Sequence, residues 1–157
     1  MRAIELRESL ADCQRFIRVE ILSAQHLIGA WHPVAASVSG RALDVAEMQV
    51  AHLQFDAERY VIFDRDGKPV NQGPYQLKIN TQPWMLDLDT ESSVPSKSIA
   101  AICELGADET GTDLLTICYA LEGAERPLSF AEAQDFSGPA ETARLHLTLT
   151  FRRLPRS

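Results

Sequence analysis

The sequence predicts a mainly β protein: an eight-stranded antiparallel up-and-down barrel preceded by one amphipathic helix. From Gly29 onward, apolar and polar residues alternate with a period of two, and turn residues interrupt this pattern about every ten positions. The patterned region opens on Gly29-Ala-Trp31 and ends on Phe151-Arg-Arg153. Short strands of even spacing favour a closed barrel over an open sheet, because closure leaves no unpaired edge.

Composition indicates one ordinary globular domain. The chain has 157 residues, of which 45% are hydrophobic and 24% charged, which is enough to bury a substantial core. A net charge of -7 argues against nucleic acid and membrane as partners, because phosphate contact needs a basic face. No apolar run approaches the ~20 residues of a membrane span. The first residues lack the apolar stretch of a signal peptide, so we expect a cytoplasmic protein with reduced cysteines.

Residues 4–27 are predicted to form the helix. Apolar residues recur there at steps of three and four, which produces a single apolar stripe: Leu6, Leu10, Cys13, Ile17, Ile21 and Ala24. We expect the helix to cover the open end of the barrel as a lid, with four side chains facing the pocket: Leu10, Cys13, Ile17 and Ile21. Two alternatives remain open: the helix packs on the outside of the barrel, or it pairs with a second copy in a homodimer.

Residues 28–154 are predicted to form the barrel domain. Its strands are expected at 30–38, 48–55, 58–64, 70–79, 83–89, 97–104, 113–121 and 143–153. Residues 41–47 are expected to form one helical turn and residues 122–142 a loop. Asp66-Gly67 supplies the positive φ of a hairpin turn. Gly73-Pro74, inside a strand, indicates a bulge or a sharp corner.

Residues 27–153 resemble a lipocalin-like domain that is abundant in planctomycetes and present in other bacteria. The resemblance is carried in order along the barrel by Leu27-Ile-Gly29-Ala-Trp31, Gly73-Pro-Tyr-Gln-Leu77-Lys, Pro83-Trp-Met-Leu-Asp87-Leu, Leu114-Leu-Thr-Ile-Cys118-Tyr-Ala and Leu149-Thr-Phe-Arg-Arg153. It implies a calycin-type barrel in which Arg153 lies across Trp31 and closes one end. The family carries no agreed activity, so the resemblance implies no catalytic residue.

Strand parity predicts which side chains line the interior. If Trp31 points inward, the inward residues include Leu53, Phe55, Tyr60, Tyr75, Leu77, Trp84, Leu86, Tyr119 and Leu147. Val61 and Cys118 are the alternatives to Tyr60 and Tyr119, and Leu149 accompanies Leu147. With the tyrosine hydroxyls and Gln54 or Gln76 as polar groups, this lining describes a pocket for a small apolar molecule. The alternative is a barrel filled by its own side chains.

No motif in the sequence identifies catalytic residues. The histidines His26, His32, His52 and His146 share no metal-ligand spacing, and no phosphate or dinucleotide loop is present. We therefore expect neither a metal nor a cofactor. Cys103 and Cys118 could face each other across one hairpin, but small core residues are the preferred interpretation.

Three functions are compatible with this pattern. The first is binding of a small hydrophobic molecule inside the barrel. The second is a cofactor-free, lid-gated cyclase or isomerase acting on a hydrophobic biosynthetic intermediate; small bacterial barrels with an N-terminal helix are similar in architecture to the cyclases of spirotetronate biosynthesis. The third is a protein-binding inhibitor or immunity module that uses the acidic surface.

Overall fold

The computed structural model describes residues 26–48, 50–91, 97–121, 125–133 and 145–155. The predicted helix over residues 4–27, with its four lid residues, lies outside this range except for its last two positions. The described strands are β1 (Gly29–Val38), β2 (Arg41–Leu43), β3 (His52–Phe55), β4 (Arg59–Phe63), β5 (Pro69–Lys78), β6 (Trp84–Thr90), β7 (Lys97–Ala107), β8 (Asp113–Ala120) and β9 (His146–Arg153).

The sheet closes into the predicted eight-stranded antiparallel barrel. Each strand from β3 to β9 pairs with the next one in sequence, and β1 pairs with both β3 and β9. The closing ladder runs from Trp31 opposite Arg153 to Val38 opposite Leu147. The architecture is compatible with a lipocalin-like fold. β2 is an additional short strand that forms a hairpin with the second half of β1.

Three local expectations were only partly right. Residues 41–47 form β2 and then a separate 3-10 turn at Val45–Glu47, because the Asp44 side chain caps the turn by accepting from the backbone of Ala46. The segment expected to be a loop contains the short helix α1 (Phe130–Ala133). The irregularity in β5 lies at its start, where the register with β4 shifts between Ile62 and Phe63.

Gly73 lies beside no bulge, but it is required by a close approach of the backbones of β5 and β6. A Cβ atom at this position would lie 1.8 Å from the carbonyl oxygen of Asp89. The glycine therefore allows a tight strand contact, which the sequence had not predicted.

Side chains alternate between the two faces of the wall. One contiguous apolar cluster occupies the inner face and includes Trp31, Phe55, Tyr60, Leu86, Leu115, Ile117 and Leu149. A second, smaller cluster of Ile102 and Cys118 lies on the outer face, where Phe130 of α1 packs on it. The barrel thus has an apolar interior and one covered area on its outside.

The alternating strand directions define two ends. At one end, which we call the Trp31 end, β1 begins and β9 ends at Arg153. At the other, the Val38 end, β1 ends, β9 begins at His146, and β2 and the 3-10 turn follow. The chain reaches the barrel at the Trp31 end, through His26 and Leu27.

Candidate functional site

The Trp31 end is closed by one tryptophan and the groups around it. Trp31 is fully buried, and its indole Nε1 donates a hydrogen bond of 2.9 Å to the carbonyl oxygen of Leu27. The guanidinium of Arg153 lies 4.2 Å from the centre of the indole ring, within the range of a cation–π contact. Arg153 also donates to the backbone oxygens of His26 and Ile28 and pairs with Asp113. These contacts tie the start of β1 to the end of β9.

The inner face is most deeply buried beside Trp31 and is partly exposed at both ends, where Leu77, Trp84 and Leu105 form the rim of the Trp31 end. Leu86 and Leu115, in the half nearer Trp31, are fully buried. In the middle, Leu88 and Leu149 are 5% and 6% exposed, and Leu147 at the start of β9 reaches 9%. Four further inner-face side chains toward the Val38 end are only partly buried: Val38, Ile62, Ile99 and Tyr119. We call the part beside Trp31, where the side chains are fully buried, the filled half, and the part near Val38, where aliphatic side chains are partly exposed, the accessible half.

The segment between β2 and β3 lies beside the accessible half. Val45, Met48 and Val50 are partly buried and pack against the inner cluster. Arg65, in the hairpin between β4 and β5, donates to the backbone oxygens of Val45 and Ala46. Part of the Val38 end is thus covered by the segment between β2 and β3, which Arg65 joins to the hairpin between β4 and β5.

The three tyrosines of the interior differ in their hydrogen bonds. The Tyr60 hydroxyl lies 3.2 Å from Thr90 Oγ1, and the Tyr75 hydroxyl donates to the carbonyl oxygen of Asp56 at 2.6 Å. Among the described residues, the Tyr119 hydroxyl has no hydrogen-bond partner, and it is not fully shielded from solvent. Burial raises the pKa of Tyr119, so its phenol stays protonated at neutral pH. A hydrogen-bond donor is thus available within the accessible half.

The nine side chains predicted to bind a ligand all belong to strand positions on the inner face. Leu53, Phe55, Tyr60 and Leu86 are packed within the filled half. Leu77 and Trp84 lie at the rim of the Trp31 end, where the Trp84 ring is 5.6 Å from that of His26. Tyr75 occupies the middle, and the accessible half contains the remaining two residues, Tyr119 and Leu147.

The predicted glutamine contacts were wrong. Gln54 and Gln76 are exposed and alternate with inward residues of β3 and β5, so they belong to the outer face. Val38, Ile62 and Ile99 also belong to the inner face, although they were not predicted from the sequence. A bulge between Pro33 and Ala35 reverses the parity of β1, so counting in steps of two from Trp31 places Val38 on the wrong face. For Ile62 and Ile99 the period-two pattern did carry the signal. Ile62 lies two residues after the inward Tyr60, and Ile99 lies directly opposite the inward Leu88.

The two described cysteines belong to opposite faces and do not face each other. Cys103 is directly opposite Ile117, and Cys118 is directly opposite Ile102. Burial raises the pKa of Cys103 to about 12 and also raises the pKa of Cys118, whose sulfur accepts from Thr148 Oγ1. Both thiols are therefore protonated at neutral pH and unsuited to nucleophilic attack.

Neither a metal-binding cluster nor a membrane-spanning helix is found in the described ranges. Within them, no group of three or more histidine, cysteine, aspartate or glutamate side chains is arranged to hold a metal ion. In the same part of the chain, no helix is long and apolar enough to cross a membrane.

Comparison with known proteins gives no relative. No protein-family model matches the chain, and no curated protein or solved structure is significantly similar to it. The geometry of the barrel is accordingly the basis for any functional proposal.

Proposed function

We propose that this protein binds a small, uncharged hydrophobic molecule in the half of the barrel near Val38. The observation that carries the proposal is the partial exposure of aliphatic side chains at this end of an otherwise continuous apolar inner face. Small-ligand sites are concave and mostly apolar, with a few polar groups that orient the ligand. Val38, Ile62, Ile99 and Leu147 would supply the apolar contacts.

Tyr119 is the polar group that we assign to ligand orientation. Its hydroxyl is unpaired among the described residues, in contrast to those of Tyr60 and Tyr75. A protonated phenol favours a ligand with a hydrogen-bond acceptor, such as a carbonyl or ether oxygen. The ligand would reach the site from the Val38 end, since Trp31 and Arg153 close the other.

Binding of the neutral dye Nile red tests the proposal. Ile99→Trp adds bulk on the inner face, whereas Ser98→Trp adds the same group at the neighbouring exposed position of β7. We expect Ile99→Trp to weaken dye binding at least ten-fold and Ser98→Trp to leave it unchanged. Circular dichroism of both variants checks that the barrel is retained.

Leu149→Phe provides a second filling variant in case Ile99→Trp does not fold. Tyr119→Phe removes only a hydroxyl, and we expect it to weaken ligands that carry a carbonyl while leaving hydrocarbon ligands unaffected. Equal dye binding by the folded filling variants and by Ser98→Trp would exclude the interior as the site.

A further inference from the structure

A groove with a volume of about 220 Å³ lies on the outer wall of the barrel, separate from the interior. It crosses β1, β9, β8 and β7 beside α1. We call it the outer-wall groove, and its main lining residues are Ala35, Ser37, Glu104, Thr116, Phe130 and Thr150.

The floor of the outer-wall groove contains a row of polar side chains on adjacent strands. Ala35 is directly opposite Thr150, Thr150 is opposite Thr116, and Thr116 is opposite Glu104. Adjacent strands are about 4.8 Å apart, so the three polar side chains of this row, Thr150, Thr116 and Glu104, extend over roughly 10 Å, and Ala35 continues the floor beyond them. Among the described residues, Glu104 has no ion-pair partner, and the hydroxyls of Thr116 and Thr150 have no hydrogen-bond partner. The groove thus ends at an unpaired carboxylate.

Phe130 forms one wall of the outer-wall groove and is held firmly in place. It packs on Ile102 and Cys118 of the outer face. Four residues earlier, Arg126 donates to the carbonyl oxygen of Ala101 at 2.7 Å and forms an ion pair with Asp87. Arg126 therefore fixes the segment that carries the ring against β6 and β7, and the apolar wall exists without a ligand.

We propose that the outer-wall groove binds a linear aliphatic amine, with the ammonium group at Glu104 and the methylene chain along Thr116 and Thr150 against Phe130. Carboxylate and hydroxyl oxygens accept hydrogen bonds from an ammonium group, and the carboxylate repels anions. The net charge of -7 raises the local concentration of cations in addition. The row has its one charged group at one end and Ala35 at the other, as a linear amine has its charge at one end of an apolar chain.

Titration with hexylamine and with hexanol, followed by amide chemical shifts, tests this site. We expect hexylamine to shift the amides of the groove strands and to bind at least five-fold more tightly than hexanol. Glu104→Gln should weaken hexylamine about five-fold, the effect of one partly exposed ion pair of about 1 kcal/mol. Asp89→Asn removes an exposed carboxylate from neighbouring β6 and should leave hexylamine binding unchanged.

Two results would overturn the amine site. One is equal binding of hexylamine and hexanol; the other is an equal loss with Glu104→Gln and Asp89→Asn, which would reduce the effect to overall charge. Ile99→Trp should leave hexylamine binding intact, so failure of this site and failure of the interior site are distinguished.

Discussion

The two halves of the barrel are built from the same alternating pattern and differ in how their interiors are filled. Near Trp31, aromatic side chains from β1, β3 and β4 meet Leu86 and Leu115, and these residues are almost completely buried. Near Val38, the inner positions are mostly aliphatic, and a partly buried segment rather than a tryptophan covers them. The size of the inward side chains therefore separates a half filled around a tryptophan from a half whose inward side chains stay partly exposed.

The largest expected effect comes from removing equal side chains in the two halves. Leu86 is fully buried and Leu147 is 9% exposed. We expect Leu86→Ala to lower the free energy of unfolding by about 4 kcal/mol and Leu147→Ala by about 2 kcal/mol, because the cost grows with the cavity left in packed surroundings. Urea unfolding of both variants measures the difference. Equal losses would mean that the two halves are packed alike.

A smaller effect is expected at the close contact between β5 and β6. Gly73 lies directly opposite the buried Tyr60, and an added Cβ would meet the Asp89 backbone. We expect Gly73→Ala to destabilise the protein by about 1–3 kcal/mol, the usual cost of overpacking. Gly106 in β7 is the matched control, since a Cβ there meets nothing within 4 Å. A stable Gly73→Ala variant would contradict the close approach.

The smallest effect is on the ionisation of the tyrosines. Burial raises the pKa of Tyr75 to about 12 and also raises the pKa values of Tyr60 and Tyr119. A phenol whose pKa is raised by folding contributes stability below its unfolded value near 10, and this contribution is lost as the pH rises further. We expect phenolate absorbance to appear in the native protein only above that value, with the Tyr75 phenol ionising near pH 12. Tyr75→Phe should lack the ionisation near pH 12, and native absorbance that is fully developed near pH 10 would contradict the raised pKa values.

The sequence was informative wherever the backbone followed a regular pattern. The closed barrel and the inward positions of β3 to β9 follow from period-two alternation, because directly opposed residues of an antiparallel pair share a face. Alternation cannot reveal a register shift, so the bulge in β1 hid Val38. The outer-wall groove was also missed, because Glu104, Thr116 and Thr150 are far apart in sequence and resemble any solvated strand face.

The ladder between β1 and β9 has a consequence for how the chain becomes a barrel. It joins Trp31 to Arg153, in the first and last of the described strands. Until β9 leaves the ribosome, β1 and β8 each carry an edge with unpaired amides and carbonyls. Strands that pair before that point can form only an open sheet, and contacts between such distant residues are slow to form. Closure converts that sheet, which could pair with other chains, into a barrel without free edges along these strands.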